Sequence, residues 1–452
     1  MNAIRALFIV LVLLPLCMSV ALAGDPEVKT DSDWKTLCEK AEKLRKAGEY
    51  AQAGEAALKA VETAKKKSGP DHANVAQCQC ELARAYAKQG KYSEAETLFE
   101  SSLKMLEKTL GSNHLETARC MNDLAEVYDN NVKYTKMEPL LKRALEIRKK
   151  ALGSNHPDVA ETIDHFGSLY FARGKYDEAE TFCTRALTLR EKTLGPKHPD
   201  VAKSLFNLTA IYIYQGKYDM AESLGQLSLE IREKSLGPDH PDVADSLSAL
   251  GTVCICQNRL DKAESFFQRS QKIQKEKLGP EHPKMANNLV SLGFIYTMRE
   301  EYDKAEKLYK CAMEIQKKTF APDHYYIATC LSRLARVYMA QEKCTKAEPL
   351  LKESLKITET TFGSDHPYVA DNLMYLGHCY TKQKKYDKAE PLLKRSLAIY
   401  EKTYGPDHRS LLGILFYTVE LYQATDREEK AEKLTDRARQ IYENNRPCRT
   451  IH

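Results

Sequence analysis

The sequence predicts an all-α protein, a right-handed α-solenoid of about ten stacked helix-turn-helix units. The main observation is a histidine that recurs every 42 residues along most of the chain. Sequence periods of about 20 to 50 residues indicate repeat architectures, in which each unit buries its apolar face against its neighbours. One solenoid therefore replaces the separate globular domains that 452 residues would otherwise suggest. The ladder histidines are His72, His114, His156, His198, His240, His282, His324, His366 and His408.

Apolar residues at helical spacing follow each ladder histidine and predict the first helix of a unit. After His156, the apolar positions 159, 163, 166 and 170 step by four, three and four residues, so they share one helix face. Pro157 suits the first helical position, which places the histidine at the N-cap or beside it. We expect this helix to end near Gly174 and its equivalents.

A second helix is predicted in each unit by a capping-box pattern. A Ser, Thr or Asp is followed three residues later by Glu, and such pairs satisfy each other's backbone N–H groups at helix starts. The helix is expected to end at a left-handed glycine such as Gly153, with Ala321 as an exception. The eight glutamates are Glu96, Glu138, Glu180, Glu222, Glu264, Glu306, Glu348 and Glu390.

The positions shared by the units resemble the tetratricopeptide repeat. In one unit they read Phe166-Gly167-x-x-Tyr170, then Gly174, Tyr176, Ala179 and Ala186. The chain is similar to the 42-residue form of kinesin light chains and many bacterial proteins, from about residue 30 to 445. This resemblance implies that the first helix of each pair faces a concave groove that takes extended or helical peptide segments.

The inward positions of the central repeats carry apolar or aromatic residues, where a solenoid without a ligand would carry polar ones. Exposed apolar patches mark interaction sites, so we expect a protein or peptide partner in the groove. The alternative is an architectural component of an envelope or secretion assembly, acting through its outer face and ends, and self-association stays open. The expected groove residues are Phe171, Phe206, Ile213, Tyr214, Ile255, Phe294, Met298, Met339 and Met374.

The N-terminal residues predict export. A start with one basic side chain, Arg5, precedes an apolar stretch and an Ala21-Leu22-Ala23 site, the order of a secretory signal peptide. We therefore expect a signal peptide at 1–23, a short segment at 24–32, the solenoid at 33–446 and a tail at 447–452. The mature protein would be periplasmic or secreted and not membrane-inserted. An uncleaved anchor is the alternative.

Composition and motifs argue against several other functions. The 68 Lys and Arg residues against 63 Asp and Glu leave a net charge of +5 without a basic stripe, so we expect no nucleic-acid partner. Ladder histidines about 10 Å apart cannot share one metal ion, whose ligands lie about 2 Å away. No phosphate-binding glycine loop or convergent acid, base and nucleophile set is present. We therefore expect no enzyme activity, cofactor or metal.

The thirteen cysteines are scattered singly, and no C-x-x-C pair occurs. Cys78, Cys120 and Cys330 share one register of the repeat, where neighbours should lie about 9–10 Å apart, beyond the limit of about 7 Å between bridged Cα atoms. We expect most cysteines to be small buried hydrophobes. A few disulfides are an alternative for some of the cysteines, because exported proteins meet oxidising compartments.

Overall fold

The computed structural model describes residues 33–444, which form twenty α-helices and no strand. The predicted signal peptide 1–23, the predicted segment 24–32, the last two residues of the predicted solenoid, 445–446, and the predicted tail 447–452 lie outside the described residues. The helices are α1 (Trp34–Lys46), α2 (Tyr50–Ser68), α3 (Ala73–Lys88), α4 (Tyr92–Thr109), α5 (Leu115–Asn130), α6 (Tyr134–Leu152), α7 (Pro157–Ala172), α8 (Tyr176–Leu194), α9 (Pro199–Tyr214), α10 (Tyr218–Leu236), α11 (Pro241–Cys256), α12 (Leu260–Lys277), α13 (Pro283–Met298), α14 (Tyr302–Thr319), α15 (Tyr325–Ala340), α16 (Cys344–Phe362), α17 (Pro367–Lys382), α18 (Tyr386–Tyr404), α19 (Leu411–Gln423) and α20 (Glu428–Asn444).

Consecutive helices form ten antiparallel pairs, numbered here 1 to 10, and each pair packs on the next. The apolar stripe predicted for α7 faces this core, since Val159, Ile163 and Phe166 are all buried. The predicted α-solenoid of about ten helix pairs is therefore confirmed. Within residues 33–444, no helix is long and apolar enough to cross a bilayer.

The ladder histidines cap the first helices, as the sequence predicts. In the eight first helices that follow His72 to His366, the histidine is the N-cap residue. Its Nδ1 accepts the backbone N–H two residues later at 3.1–3.3 Å, and His408 makes the same bond to Ser410. A bare N–H of the helix start is thereby satisfied. An Nδ1 that accepts must be unprotonated, so the proton of the neutral ring lies on Nε2.

The capping-box prediction for the second helices is wrong. Helix α8 begins at Tyr176, so the expected cap Asp177 lies inside it, and the N-cap Lys175 makes no side-chain cap bond. The glutamates instead hold neighbouring pairs together. Glu180 accepts bonds from Tyr212 at 3.1 Å and from Lys217 at 3.0 Å, both in the next pair. The signature tyrosine thus finds its hydroxyl partner in the preceding repeat, which a reading of single helices could not reveal.

The glycines after the second helices take positive φ, as expected, but with an extended ψ. Gly153 has φ 83° and ψ 159°, and Gly195 is similar. This region is essentially open only to glycine, so the requirement for glycine is stricter than the predicted left-handed cap. Where Ala321 replaces the glycine, the C-cap residue before it, Phe320, is itself extended at φ −118° and ψ 158°.

The solenoid coils so tightly that pair 1 touches pair 6. His240, at the start of α11, lies 194 residues after Lys46, at the end of α1, yet their Nε2 and carbonyl oxygen are 3.2 Å apart. The same contact joins His282 to the carbonyl of Lys88 at 3.2 Å. Pairs 1–5 therefore form one superhelical turn and pairs 6–10 a second turn stacked on it. We call the surface where the two turns meet the seam.

Glycine and proline permit the closest approach across the seam. A side chain at Gly48 would place its Cβ 2.7 Å from Cδ of Pro241, and one at Gly90 would lie 2.6 Å from Cδ of Pro283. Both distances are shorter than van der Waals contact, so only glycine fits there. Both glycines also have positive φ, which glycine adopts without steric cost.

Ladder histidines reinforce the seam with their second ring nitrogen. His240, His282 and His366 direct Nε2 at carbonyl oxygens of the first turn, the last at 3.1 Å from Ala172. Since Nε2 carries the proton, it donates to the carbonyl. Burial lowers the pKa of His366 to about 4, which keeps this neutral form at neutral pH.

Substitution of Gly90 should open the seam. We expect Gly90→Ala to cost about 1–2 kcal/mol for the positive φ and about 1–3 kcal/mol more for the overlap with Pro283. Gly216→Ala is the matched control, because its φ is +75° but nothing lies within 4 Å of the added Cβ. Urea unfolding followed by circular dichroism gives both values. Equal losses for the two variants would contradict the close contact.

The histidine contact should make stability depend on pH. Burial, with the charge of Lys284, lowers the pKa of His282 to about 4, whereas unfolded histidine titrates near pH 6.5. Between these values the unfolded chain binds more protons, so stability is complete above about pH 6.5 and falls as the pH drops towards 4. Each such histidine contributes at most about 1.4 kcal/mol per pH unit.

Replacement by asparagine separates the seam contact from the cap, because asparagine is itself a good N-cap residue. We expect His282→Asn to lower the free energy of unfolding at pH 7.5 by about 1–2 kcal/mol, since the Lys88 carbonyl loses its donor. His198→Asn should change it by less than about 0.5 kcal/mol, because 40% of the His198 side chain stays accessible. The stability of His282→Asn should also depend less on pH. An equal effect of both variants would contradict the seam role.

Candidate partner-binding site

The predicted groove residues lie on the first helices but differ in accessibility. Tyr214 and Met298 are exposed, at 39% and 51%. A second group is partly buried: Phe171, Phe206, Ile213, Ile255, Phe294 and Met339.

The expectation is wrong for Met374, which is only 6% exposed and belongs to the C-terminal core with Leu373 and Leu415. Its sulfur lies 3.6 Å from where a side chain at Gly413 would begin. The methionine therefore fills the space that the missing side chain of α19 leaves, and it is not available to a partner.

A cavity of about 450 Å³ lies at the seam between pairs 3–5 of the first turn and pairs 8–9 of the second. We call it the seam pocket. It brings together Phe171, Phe206 and Tyr214 from the predicted set with residues that lie more than 100 positions further along the chain. Its aromatic lining consists of Tyr134, Phe171, Phe206, Tyr214, Tyr325, Tyr326, Phe362 and Tyr368.

Ring contacts hold the lining in place. Phe171 meets Tyr214 edge-to-face with centroids 5.0 Å apart, and Tyr325 stacks on Tyr368 at 4.8 Å. The hydroxyls of Tyr214 and Tyr368 lie 3.3 Å apart, which joins the two turns by a hydrogen bond. Aromatic pairs of these geometries are favourable beyond the area they bury. The pocket walls are therefore preorganised rather than collapsed.

The pocket lies where the glycine–proline contact of the seam is interrupted. Val132 stands at the register of Gly48 and Gly90, and Tyr325 stands where Pro241 and Pro283 stand. Val132 keeps the positive φ of that register, at 58°, which is strained for a β-branched residue. The corresponding residue has positive φ in all ten pairs, so this conformation belongs to the turn of the repeat and does not by itself mark the pocket.

A carboxylate supplies the polar part of the pocket. Asp129 lines the cavity beside Asn207. Burial, reinforced by the charge of Glu126 and opposed by that of Lys203, raises the pKa of Asp129 to about 7. Glu126 itself is paired with Lys88 at 2.9 Å. The pocket therefore combines aromatic walls with one acid whose charge changes near neutral pH.

Phe294 forms a separate aromatic patch on α13. Its ring is covered by the guanidinium groups of Arg333 and Arg336, 5.0 and 5.4 Å from the centroid. Phe206 is likewise covered by Arg232 at 5.1 Å. Arginine over an aromatic face gives a cation–π contact and leaves donors for carboxylates or carbonyls. These arginines were absent from the sequence prediction, which considered only apolar residues.

The second-turn half of the pocket was also missed. Tyr325, Tyr326 and Tyr368 are the first or second residues of α15 and α17. Positions at the start of the first helix face no groove in a single repeat. The available signal was the replacement of the usual Pro-Asp after the histidine by Tyr325-Tyr326. Its meaning depends on the superhelical pitch, which places these residues opposite Tyr214.

The pocket is lined by hydrogen-bonding and apolar groups. Within residues 33–444, no group of three or more His, Cys, Asp or Glu side chains is placed to hold a metal ion. Burial raises the pKa values of Tyr325 and Tyr326, so their hydroxyls stay neutral and act as hydrogen-bond donors. The arrangement is suited to holding a ligand.

Comparison with solved structures finds similar helical repeats. A Podosopora anserina protein described as a kinesin light chain with nearly identical TPR-like repeats is 26% identical, with a TM-score of 0.36, over 46% of this chain and 98% of its own. A Rap protein complexed with Competence and Sporulation Factor has a TM-score of 0.60 at 15% identity, covering 82% and 98%. BtubC (BKLC) from P. vanneervenii has a TM-score of 0.39 at 20% identity, covering 56% and 96%. No curated protein matches the chain.

Two family models, both described as tetratricopeptide repeat, match the chain in overlapping segments. One matches residues 35–108, 89–129, 160–234, 210–276, 258–318, 284–360, 326–394 and 368–444, and the other matches 117–158. Together they cover nearly all of the helices described above. The chain belongs to the tetratricopeptide repeat family, whose members are in general non-catalytic scaffolds for protein–protein interaction.

Proposed function

We propose that this protein is a non-catalytic scaffold that binds a peptide or protein segment on its inner surface, with the seam pocket as the anchor site. The observation that carries the proposal is the gathering of partly accessible aromatic side chains from both turns around one cavity. Aromatic anchors in pockets dominate the energy of many interfaces. A cavity of about 450 Å³ is within the range of ligand pockets, and it suits one or two large side chains of a partner.

The polar groups restrict which segment fits. Arg333 and Arg336 cover Phe294 and present donors, and Asp129 presents an acceptor inside the pocket. Arg232 is buried and already donates to the Asp242 carbonyl and to Ser246. A segment with an apolar anchor and flanking carboxylates or backbone carbonyls would satisfy these groups. The Rap protein of similar fold was solved with Competence and Sporulation Factor, so a solenoid of this general form can hold a partner.

We further propose that the protein works outside the cytoplasm, in the periplasm or as a secreted protein. The support is the signal-peptide pattern of residues 1–23. The mass of the protein isolated from the extracytoplasmic fraction should correspond to a chain that begins at Gly24. A membrane-bound form that retains Met1 would favour the anchor.

The alternative function is an architectural one through the outer helices. Met220 and Leu227, both on the second helix α10, are exposed at 50% and 44%. They lie seven residues apart and so share one helix face. Exposed apolar residues on this helix favour a contact outside the groove.

Paired variants distinguish these functions. We expect Phe206→Ala with Phe294→Ala to weaken partner binding at least tenfold, which corresponds to about 1.4 kcal/mol. Because both rings are only partly buried, the loss of folding stability should stay below about 2 kcal/mol. Met220→Ala with Leu227→Ala is the matched control, and it should leave binding unchanged.

The partner is first identified with a photocrosslinking amino acid at Phe206 or Met220 in the native compartment, and its crosslinked segment is then titrated against each variant. Crosslinks and affinity loss confined to the α10 positions would support the architectural function instead. A large fall in melting temperature for the phenylalanine variant would show that these rings serve the core.

A further inference from the structure

Two cysteines of neighbouring first helices lie in contact. The sulfur atoms of Cys38 on α1 and Cys78 on α3 are 3.3 Å apart. A disulfide has an S–S bond of about 2.04 Å, so a movement of little more than 1 Å, within reach of side-chain rotation, would join them. The pair is offset by 40 residues and not by the repeat of 42, which explains why comparison of equivalent positions could not find it.

We propose that Cys38 and Cys78 form a disulfide that fastens the first helix pair to the second in the exported protein. The proposal concerns stability at the N-terminal end and is independent of the binding site. It requires an oxidant of the disulfide class, such as glutathione disulfide, which an extracytoplasmic compartment supplies.

The two thiols differ in access, and this sets the order of reaction. Cys38 is partly accessible, whereas Cys78 is fully buried. The hydrogen bond with Cys38, together with burial, raises the pKa of Cys78. Cys38 is therefore the thiol that meets the oxidant first.

The reaction consists of two thiol–disulfide exchanges. The Cys38 thiolate attacks one sulfur of glutathione disulfide, and the first glutathione leaves and takes up the proton that Cys38 released. The sulfur of Cys78 then attacks Sγ of Cys38 in the mixed disulfide, and its proton goes to the second glutathione as it leaves. Two protein thiols are oxidised, and one glutathione disulfide is reduced to two thiols.

A link at this position would act where the solenoid is weakest. Among the helices of residues 33–444, α1 has neighbours in its own turn on one side only, and terminal repeats open more readily than internal ones. Its buried side chains include Trp34, Leu37 and Ala41. Helix α2 lies between α1 and α3 in the sequence, so a bond between Cys38 and Cys78 closes a loop of 40 residues. Such a loop restricts the unfolded terminal segment.

Two other thiol pairs provide an internal contrast. Cys80 contacts Cys120, and Cys344 contacts Cys379. All four residues are buried, so an oxidant does not reach them in the folded chain. We expect these pairs to stay reduced under native conditions while Cys38 and Cys78 react.

The first test maps the bond in the purified full chain. The reduced protein is exposed to glutathione disulfide without denaturant, alkylated and digested, and the peptides are identified by mass spectrometry. We expect a Cys38–Cys78 linked peptide, which Cys38→Ser abolishes, and a glutathione adduct on the exposed Cys311. Modification of Cys311 shows that the oxidant was active. If Cys311 is modified while Cys38 and Cys78 stay free, or while Cys38 carries only a glutathione adduct, the proposal is overturned. Free Cys38 and Cys78 in protein trapped by alkylation in its native compartment would overturn it equally.

The second test uses Trp34, the single tryptophan of the sequence, which lies one helical turn before Cys38. We expect the urea midpoint of tryptophan fluorescence to rise by at least about 0.5 M on oxidation. In Cys38→Ser and Cys78→Ser the midpoint should not respond to the oxidant, which excludes effects of the other cysteines. A linked protein with an unchanged midpoint would show that the bond does not fasten the terminal pair.

Discussion

The close approach of the two superhelical turns is the constraint on which the rest of the structure depends. A solenoid needs only contacts between neighbouring repeats, but here repeats five apart also touch through Gly48 with Pro241 and Gly90 with Pro283. These contacts fix the pitch, because a side chain at either glycine would push the turns apart. The ladder histidine acts at the same place, since one ring nitrogen caps its own helix and the other donates to the previous turn. At His282, the cap of α13 and the contact with the previous turn therefore depend on the same side chain.

The residues at this register differ between the two turns. The first turn has glycine at four of the five positions of the register, whereas the second turn has Asn258, Glu300, Glu342, Lys384 and Asp426. A third turn packed by the same contact would meet these polar side chains instead of glycine. The non-glycine side chains of the second turn are exposed at this register, and Met298 beside them is exposed as well. These side chains oppose end-to-end stacking of a second copy through this contact.

The sequence predicts local features well because they repeat. The number of helix pairs, the histidine caps and the buried face of α7 all follow from spacing within one unit. The function of Glu180 was misassigned, because the capping-box pattern describes one helix and its true partners, Tyr212 and Lys217, belong to the next pair. The burial of Met374 depends on a glycine in the following pair. Errors therefore arise where a side chain is satisfied by a neighbour that the repeat pattern does not specify.

For a related reason, the sequence predicts only the half of the seam pocket that the first turn supplies. Phe171, Phe206 and Tyr214 stand out as apolar residues on an inner surface, but the residues opposite them depend on the pitch of the coil. Where Val132 replaces the seam glycine, Tyr325 replaces the seam proline, so the chain alters both sides of one contact together. Two changes that each weaken close packing, made at the same point, leave a cavity with aromatic walls between the contact of Gly90 with Pro283 and that of Gly174 with Pro367. This paired departure from the repeat, more than the presence of aromatic residues, distinguishes the proposed partner site from ordinary solenoid packing.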